Sequence, residues 1–347
     1  MLFRSIPFRD EGLQILAYGR EFILKGQVAR ALVPVLLKLL DGHSCVEEIC
    51  KKAMQEVDPP VSQDVLTHTL KTLEQYSIIQ EQTPDVPFLL QDSFREQLDF
   101  FSVFEKNAFQ YQSRLQQGHL GLFVVGPIAE PFLRSLRPLG IGKITLFSTE
   151  SELKEPLGEG IVHCPLKSID YEHLEEIIGS QITYLAGASL AITHRLWQGL
   201  NRAAIALKIP MTRLEISPLS AEIGPTVLPG STACYHCFEL RKASLKTHYE
   251  EYENLSAYLK NNESLPHFAV HPLFRETACN LAAYEVMRVM SRYFYPQTYN
   301  QVLSLNFFSL EIEKNTVLKI PRCPVCSAVA HKPMKERYER EYAGETV

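Results

Sequence analysis

No apolar run in the 347 residues approaches the roughly 20 that a membrane-spanning helix needs. The opening "MLFRSIPFRDEGLQ" has no apolar stretch of signal-peptide length behind its basic residue. Positive charge is scarce too: 35 Lys and Arg against 40 Asp and Glu leave a net charge of −5, with no basic tract of the kind that holds nucleic acid. The expected setting is the cytoplasm, with neither membrane nor nucleic acid as partner. What is present, 46% hydrophobic and 22% charged residues, is the composition of a soluble globular protein, and the length allows two domains.

Of eight cysteines, four fall into two Cys-x-x-Cys pairs, "CYHC" at Cys234 and Cys237 and "CPVC" at Cys323 and Cys326. In a reducing compartment such pairs are metal ligands or redox centres more often than structural disulfides. Two tight turns offering two sulfurs each satisfy the tetrahedral demand of zinc. Metal binding on the order of 10 kcal/mol can tie distant segments together. The Pro, Gly and Ser residues of "PGSTACYHC" and "IPRCPVC" supply the turns. A thioredoxin-like redox centre, the competing reading, needs only one pair. The expectation is a structural zinc, because four sulfur ligands leave no open position for water activation. Of the rest, Cys45 and Cys50 are expected to pack inward from a helix, Cys164 has no partner pattern, and Cys279 is expected in a core rather than as a nucleophile.

The first segment, residues 1–85, reads as two strands, "LQILAY" and "EFILKG", joined at Gly19, followed by three short helices. The first helix should end at Gly42 and the second should be capped by Ser44. That order describes a small winged-helix-like unit. A DNA-reading helix should carry several basic residues, yet the third helix has only Lys71 among Asp64, Glu74 and Gln75. Peptide capture by strand addition, which needs backbone groups and pockets rather than positive charge, fits better. Residues 86–118 form a linker, "TPDVPFLLQ", and an aromatic-rich packing helix. From 119 to 330 the pattern becomes α/β: strand Leu122 to Val125, a turn at Gly126, a helix closed by Gly140 and a strand from Lys143 to Phe147 predict a right-handed βαβ unit in a mostly parallel sheet. A hairpin turning at Glu313–Asn315 precedes the second cysteine pair, and residues 331–347 are a charged tail.

Together, "VVGPIAEPFLRSLRPLGIGKITLFS", "IGPTVLPGSTACYHCFELR" and "VLKIPRCPVC" resemble the ThiF-like superfamily, which includes ubiquitin-activating enzymes. They are most similar to its bacterial branch of leader-binding, cyclodehydratase-partner proteins in thiazole/oxazole-modified microcin and other bacteriocin-type peptide biosynthesis. The resemblance covers nearly the whole chain and implies a PqqD-like leader-recognition domain at residues 1–85 and a ThiF-like Rossmann-type α/β domain with a four-cysteine zinc site. It implies binding of a ribosomally made precursor by its leader and presentation to a YcaO-type, ATP-dependent cyclodehydratase that forms azolines, with no catalytic residue in this chain and a homodimer through the α/β domain. The leader would then lie beside Phe22, Ile23, Leu24 and Lys25, in a groove against Leu70, Lys71 and Leu73.

The chain departs from the adenylating members at the nucleotide site. Their Gly-rich turn is here "GPIAEPF", where Gly126 alone remains, Pro127 has no amide to offer phosphate and Glu130 brings negative charge. The acidic residue expected at the end of the second strand is Ser148, with Glu150 two residues late. The site is therefore expected to be degenerate, with Arg134 and Arg137 serving as solvated helix charges. An ATP-dependent adenylating enzyme is the alternative, and a transcriptional regulator the third reading.

Overall fold

The computed structural model describes all residues except 1–2, 9–11, 18–19, 41–43, 77, 80–92, 103–107, 150–152, 154–155, 167–173, 192, 262–267 and 328–347. The expected joint at Gly19, the helix end at Gly42, the "TPDVPFLLQ" linker, Glu150 and the charged tail lie outside the described residues. The chain divides into two units, residues 1–110 and 111–347.

The first unit opens with an antiparallel sheet in the order β1 (Phe3–Phe8), β2 (Gly12–Ala17), β3 (Arg20–Lys25). The sequence reading contained β2 and β3 but not β1, whose "FRSIPF" lacks clean alternation and holds a proline. An edge strand tolerates that proline because one side of its ladder is unpaired. Helices α1 (Gln27–Leu39), α2 (Val46–Glu56) and α3 (Gln63–Gln75) follow as expected. Ser62 caps α3 by accepting from the Val65 amide at 3.4 Å. The cap of α2 is Cys45 rather than Ser44, so Cys45 is exposed and only Cys50 packs inward. Leu13 and Ile15 from the sheet meet Leu32 and Leu36, Ile49 and Ala53, and Leu66, Leu70 and Leu73 in one core. A short helix, α4 (Arg95–Ser102), completes the unit.

The second unit begins in α5 (Ala108–Gln117), whose Tyr111 and Leu115 are buried. Strands β4 (His119–Val125), β5 (Lys143–Ser148), β6 (Ile161–Pro165), β7 (Tyr184–Ser189), β8 (Met211–Ile216), β9 (Ser220–Ile223), β10 (Gln301–Asn306) and β11 (Glu311–Thr316) form one sheet. Their order is β11-β10-β9-β8-β7-β4-β5-β6. The five strands from β8 to β6 are parallel and the three beyond are antiparallel, so the sheet is mixed. The hairpin turns at residues 307–310, not at Glu313–Asn315, which lie inside β11. Asn306 decides this: its Oδ1 accepts from the amides of Phe308 and Ser309, at 3.0 and 3.2 Å, and closes the turn before the charged run begins.

Layers of helix cover both faces of the parallel part. Helices α6 (Ala129–Leu136) and α11 (Pro272–Ser291) bury one face, with Phe132, Leu136, Cys279 and Val286 among the core. Helices α7 (Leu174–Ile178) and α8 (His194–Leu207) bury the other with Leu174, Trp197 and Leu200. Gly187 on β7 is required here, because a Cβ would stand 2.4 Å from the Trp197 ring. Cys279 is a core residue, as expected from its helical repeat.

Candidate metal centre and the closed crevice

Cys234 is the N-cap of α9 (Tyr235–Ser244) and Cys237 lies in its first turn, which brings their sulfurs to 3.9 Å. The second pair follows β11 in a tight loop, where the Cys323 amide donates to Ile320 O at 3.1 Å and Ser327 Oγ to Pro321 O at 2.6 Å. Cys234 meets Cys323 and Cys237 meets Cys326, each at 3.6 Å between sulfurs. All four sulfurs lie within 4.8 Å of one another, three of the residues are buried, and the group could hold a metal ion. Zinc–sulfur bonds of about 2.3 Å in a tetrahedron place sulfurs roughly 3.8 Å apart, and the observed spacings fit. They also exceed the S–S bond of about 2.05 Å.

Protein hydrogen bonds also hold the loops in this geometry. The Ile320 amide donates to Cys237 Sγ at 3.4 Å, Arg241 Nε to Leu318 O at 2.7 Å and Lys319 Nζ to Gly230 O at 3.1 Å. Asn201, buried on α8, accepts the Tyr235 amide at 2.9 Å, and Asn300 accepts the Ala233 amide at 2.7 Å. A bond from the Cys234 thiol holds Cys237 below the ordinary thiol range. That same bond, with burial, pushes Cys234 up.

Behind the centre lies a polar cluster that sequence reasoning missed. Arg213 on β8 is 1% exposed. Its guanidinium carbon sits 4.8 Å from the Phe238 ring centre, 5.3 Å from Tyr235 and 5.9 Å from Trp197. Its Nη2 reaches Glu222 Oε2 at 2.7 Å, and its Nη1 stands 3.6 Å from Glu215. Lys242 Nζ bonds the second Glu222 oxygen at 2.6 Å, and Trp197 Nε1 donates to Glu215 at 2.6 Å. Burial alone would raise the Glu222 carboxyl, but Arg213 and Lys242 hold it down to about 2. Glu239 is likewise held to about 2 against burial, by hydrogen bonds from His194, His236 and Gln198. Both clusters anchor α9, and with it Cys234 and Cys237, to the sheet and to α8. The readable signal was an arginine inside the otherwise apolar strand "MTRLEI".

At the carboxyl ends of β4, β5 and β7, where open α/β sheets bind ligands, the backbone is closed. Gly126 is buried with φ 88°, and the Ile128 amide is spent on Gly126 O at 2.7 Å. Pro127 has no amide, and its carbonyl accepts from Arg275 at 3.1 Å. Ser148 is fully buried, with its Oγ 2.8 Å from His163 Nε2. Arg134 pairs with Glu276 and Arg137 donates to Pro156 O at 2.8 Å, so both have protein partners rather than being purely solvated.

In the first unit, among the described residues, β3 pairs with β2 alone and its other edge is unpaired. Ile23 and Lys25 are exposed, Phe22 and Leu24 half-buried, and Phe22 meets Tyr76 at 6.2 Å between ring centres. Lys71 is exposed on α3. Leu70 and Leu73 are at most 9% exposed, in the same buried core as Leu13, Leu32 and Ile49, and α3 packs against α2.

No family model matches the chain. Protein HesA of Leptolyngbya boryana is 26% identical over 141 residues, which are 41% of this chain and 43% of HesA. Among solved structures, a heterocyclase in complex with substrate and cofactor superposes with TM-score 0.65 at 17% identity, over 94% of this chain and 38% of its own. The heterocyclase TruD gives 0.64 at 16%, over 98% of this chain and 46% of its own. E. coli MccB with ATP gives 0.62 at 15%, over 94% and 98%. The chain thus spans less than half of HesA and of the two heterocyclases, and nearly all of MccB. These likenesses establish that the chain shares its α/β fold with the heterocyclases and MccB.

Proposed function

We propose that the chain is a leader-binding, non-catalytic partner of a YcaO-type cyclodehydratase, holding a ribosomally made precursor peptide in the cytoplasm while that partner forms azolines. The carrying observation is the β3 edge, unpaired among the described residues, with Phe22 of β3 against Tyr76 at the end of α3. A leader adding as a fourth strand would pair with the β3 backbone, while Phe22, Leu24, Tyr76 and Lys71 select its side chains. Leu70 and Leu73 act from beneath by fixing α3. Likeness to two heterocyclase structures supports the assignment, as does a winged-helix-like order of strands and helices in residues 1–85. The four-cysteine centre is a structural zinc site that ties the segment after β11 to α9.

The test uses the full-length chain and a fluorescent leader made from the precursor encoded beside its gene. Ile23→Pro deletes an edge amide and distorts the strand, so affinity should fall about tenfold or more. Val162→Pro, on the edge strand β6 of the other unit, should leave affinity unchanged. Equal affinity for Ile23→Pro and the unaltered chain would remove the β3 edge as the recognition site.

MccB shares the fold and was solved with ATP, so the adenylating reading needs its own test. The turn at Gly126 has one amide missing at Pro127 and one spent at Ile128. Ser148 offers no carboxylate to a ribose and is occupied by His163. Calorimetry with ATP and magnesium should show no heat of binding, and pyrophosphate exchange should stay at background with or without peptide. Micromolar binding would favour the adenylating enzyme.

A further inference from the structure

The tip of the β10–β11 hairpin exposes what most proteins bury. Phe308 and Leu310 are 86% and 81% exposed, and Leu219, on the neighbouring β8–β9 turn, is 58% exposed. The tip is rigid. Asn306 closes the turn, Ser309 Oγ donates to Glu311 at 2.8 Å, and the Phe307 amide donates to Leu219 O at 2.9 Å. Phe307 stacks on Phe274 with ring centres 4.5 Å apart. Leu310 adopts a left-handed φ of 59°, which costs a leucine about 1 kcal/mol, and its side chain stands in solvent. Leu219, Ser304, Phe308, Glu311 and Glu313 line a groove of about 450 Å³ at this corner.

The strand register adds a charge argument. Glu215 lies opposite Glu222, Glu222 opposite Ser304, and Ser304 opposite Glu313. Directly opposed residues share a face, so three carboxylates stand in one row across four strands. Arg213 and Lys242 cover the first two. Glu313, at the groove, is exposed and has no side-chain partner among the described residues. Among the described residues the row lacks one cation, at the place where the apolar tip is exposed.

The geometry points to this groove as the docking surface for a segment of another protein that carries an aliphatic or aromatic side chain beside a lysine or arginine. The apolar side chain packs on Phe308 and Leu219, and the cation meets Glu313. A second copy added through β11 is disfavoured. Antiparallel self-pairing about the middle of the strand sets Glu313 against Glu313 or Lys314 against Lys314, and like charges directly opposed destabilise a sheet. The inference rests on the α/β unit alone and is independent of leader binding at β3.

The test is fluorescence anisotropy of the full chain with two short labelled peptides, one of Leu, Ser and Lys and its counterpart with Glu for Lys. The Lys peptide should bind, and more weakly as salt rises. Glu313→Lys and Phe308→Ser should each weaken it about tenfold, with melting temperatures unchanged because both side chains are exposed. Glu250→Lys, on the helix α10 (Tyr249–Asn261) away from the groove, should have no effect. Equal binding of both peptides, or no loss in the two groove variants, overturns the proposal. Loss of self-association by Phe308→Ser in sedimentation, with peptide affinity intact, also overturns it and assigns the surface to a second copy.

Discussion

Elemental analysis of the purified chain should find about one zinc per molecule, and Cys323→Ser should abolish it with a fall in stability larger than any surface substitution produces. As thiolates, neighbouring sulfurs at 3.6–3.9 Å would repel one another unless a cation lay between them. Structural zinc in small sites contributes on the order of 10 kcal/mol of binding free energy at neutral pH. Much of that should appear here as stability, since the ion would join α9 to a loop 89 residues further along the chain. Chelation should therefore release the segment after β11 first. Protease cleavage near Pro321 should rise, while β4, β5 and β7, buried under both helical layers, stay protected. A chain that keeps its melting temperature after complete metal removal, or that holds stoichiometric iron instead, would refute the structural-zinc assignment. The hydrogen bonds from Arg241 and Lys319 would then be what holds the loops.

The parts of this fold that could be read from sequence are those with one dominant local cause. The βαβ unit is legible because β4 is a run of buried apolar residues and Gly140 adopts the left-handed conformation its position demands. The cysteine pairs are legible because ligand spacing is a local signal. The hairpin turn was misplaced because "EKN" is polar, whereas the turn is set by a single Asn306 side chain inside an apolar stretch. Leu70 and Leu73 looked available for a groove because helical spacing reveals an apolar face without saying what covers it. The Arg213 cluster was invisible as a cluster: its members come from β8, β9, α8 and α9, and only the packed sheet brings them together. The Ser148–His163 bond has the same origin, since β5 and β6 meet in parallel register and not in sequence.

That cluster carries the other large effect. Arg213→Met should cost about 3 kcal/mol at pH 7, because it leaves two partly buried carboxylates without the cation they share. Methionine approximates the arginine stem, so the loss reports charge more than volume. Arg213→Lys should be nearly as damaging, since an ammonium cannot both reach two carboxylates and lie flat over Phe238. The pH dependence fixes the sign. Glu222 titrates near 4.5 when free and about 2 in the fold. A depressed carboxyl contributes stability that is fully present above about pH 5 and is lost as pH falls towards 2. The difference corresponds to roughly 3 kcal/mol at neutral pH. In Arg213→Met, Lys242 alone, itself partly exposed, must hold Glu222, so the carboxyl rises from its depressed value and the variant's deficit should shrink as pH falls from 5 towards 2. Adding Glu222→Gln to Arg213→Met should recover part of the lost melting temperature, because the uncompensated charge is gone. Thermal melts of the four proteins of this cycle, each loaded with metal, provide the measurement. A deficit independent of pH, with no recovery in the double variant, would show that Arg213 acts by filling space between Trp197, Tyr235 and Phe238 rather than by neutralising Glu222.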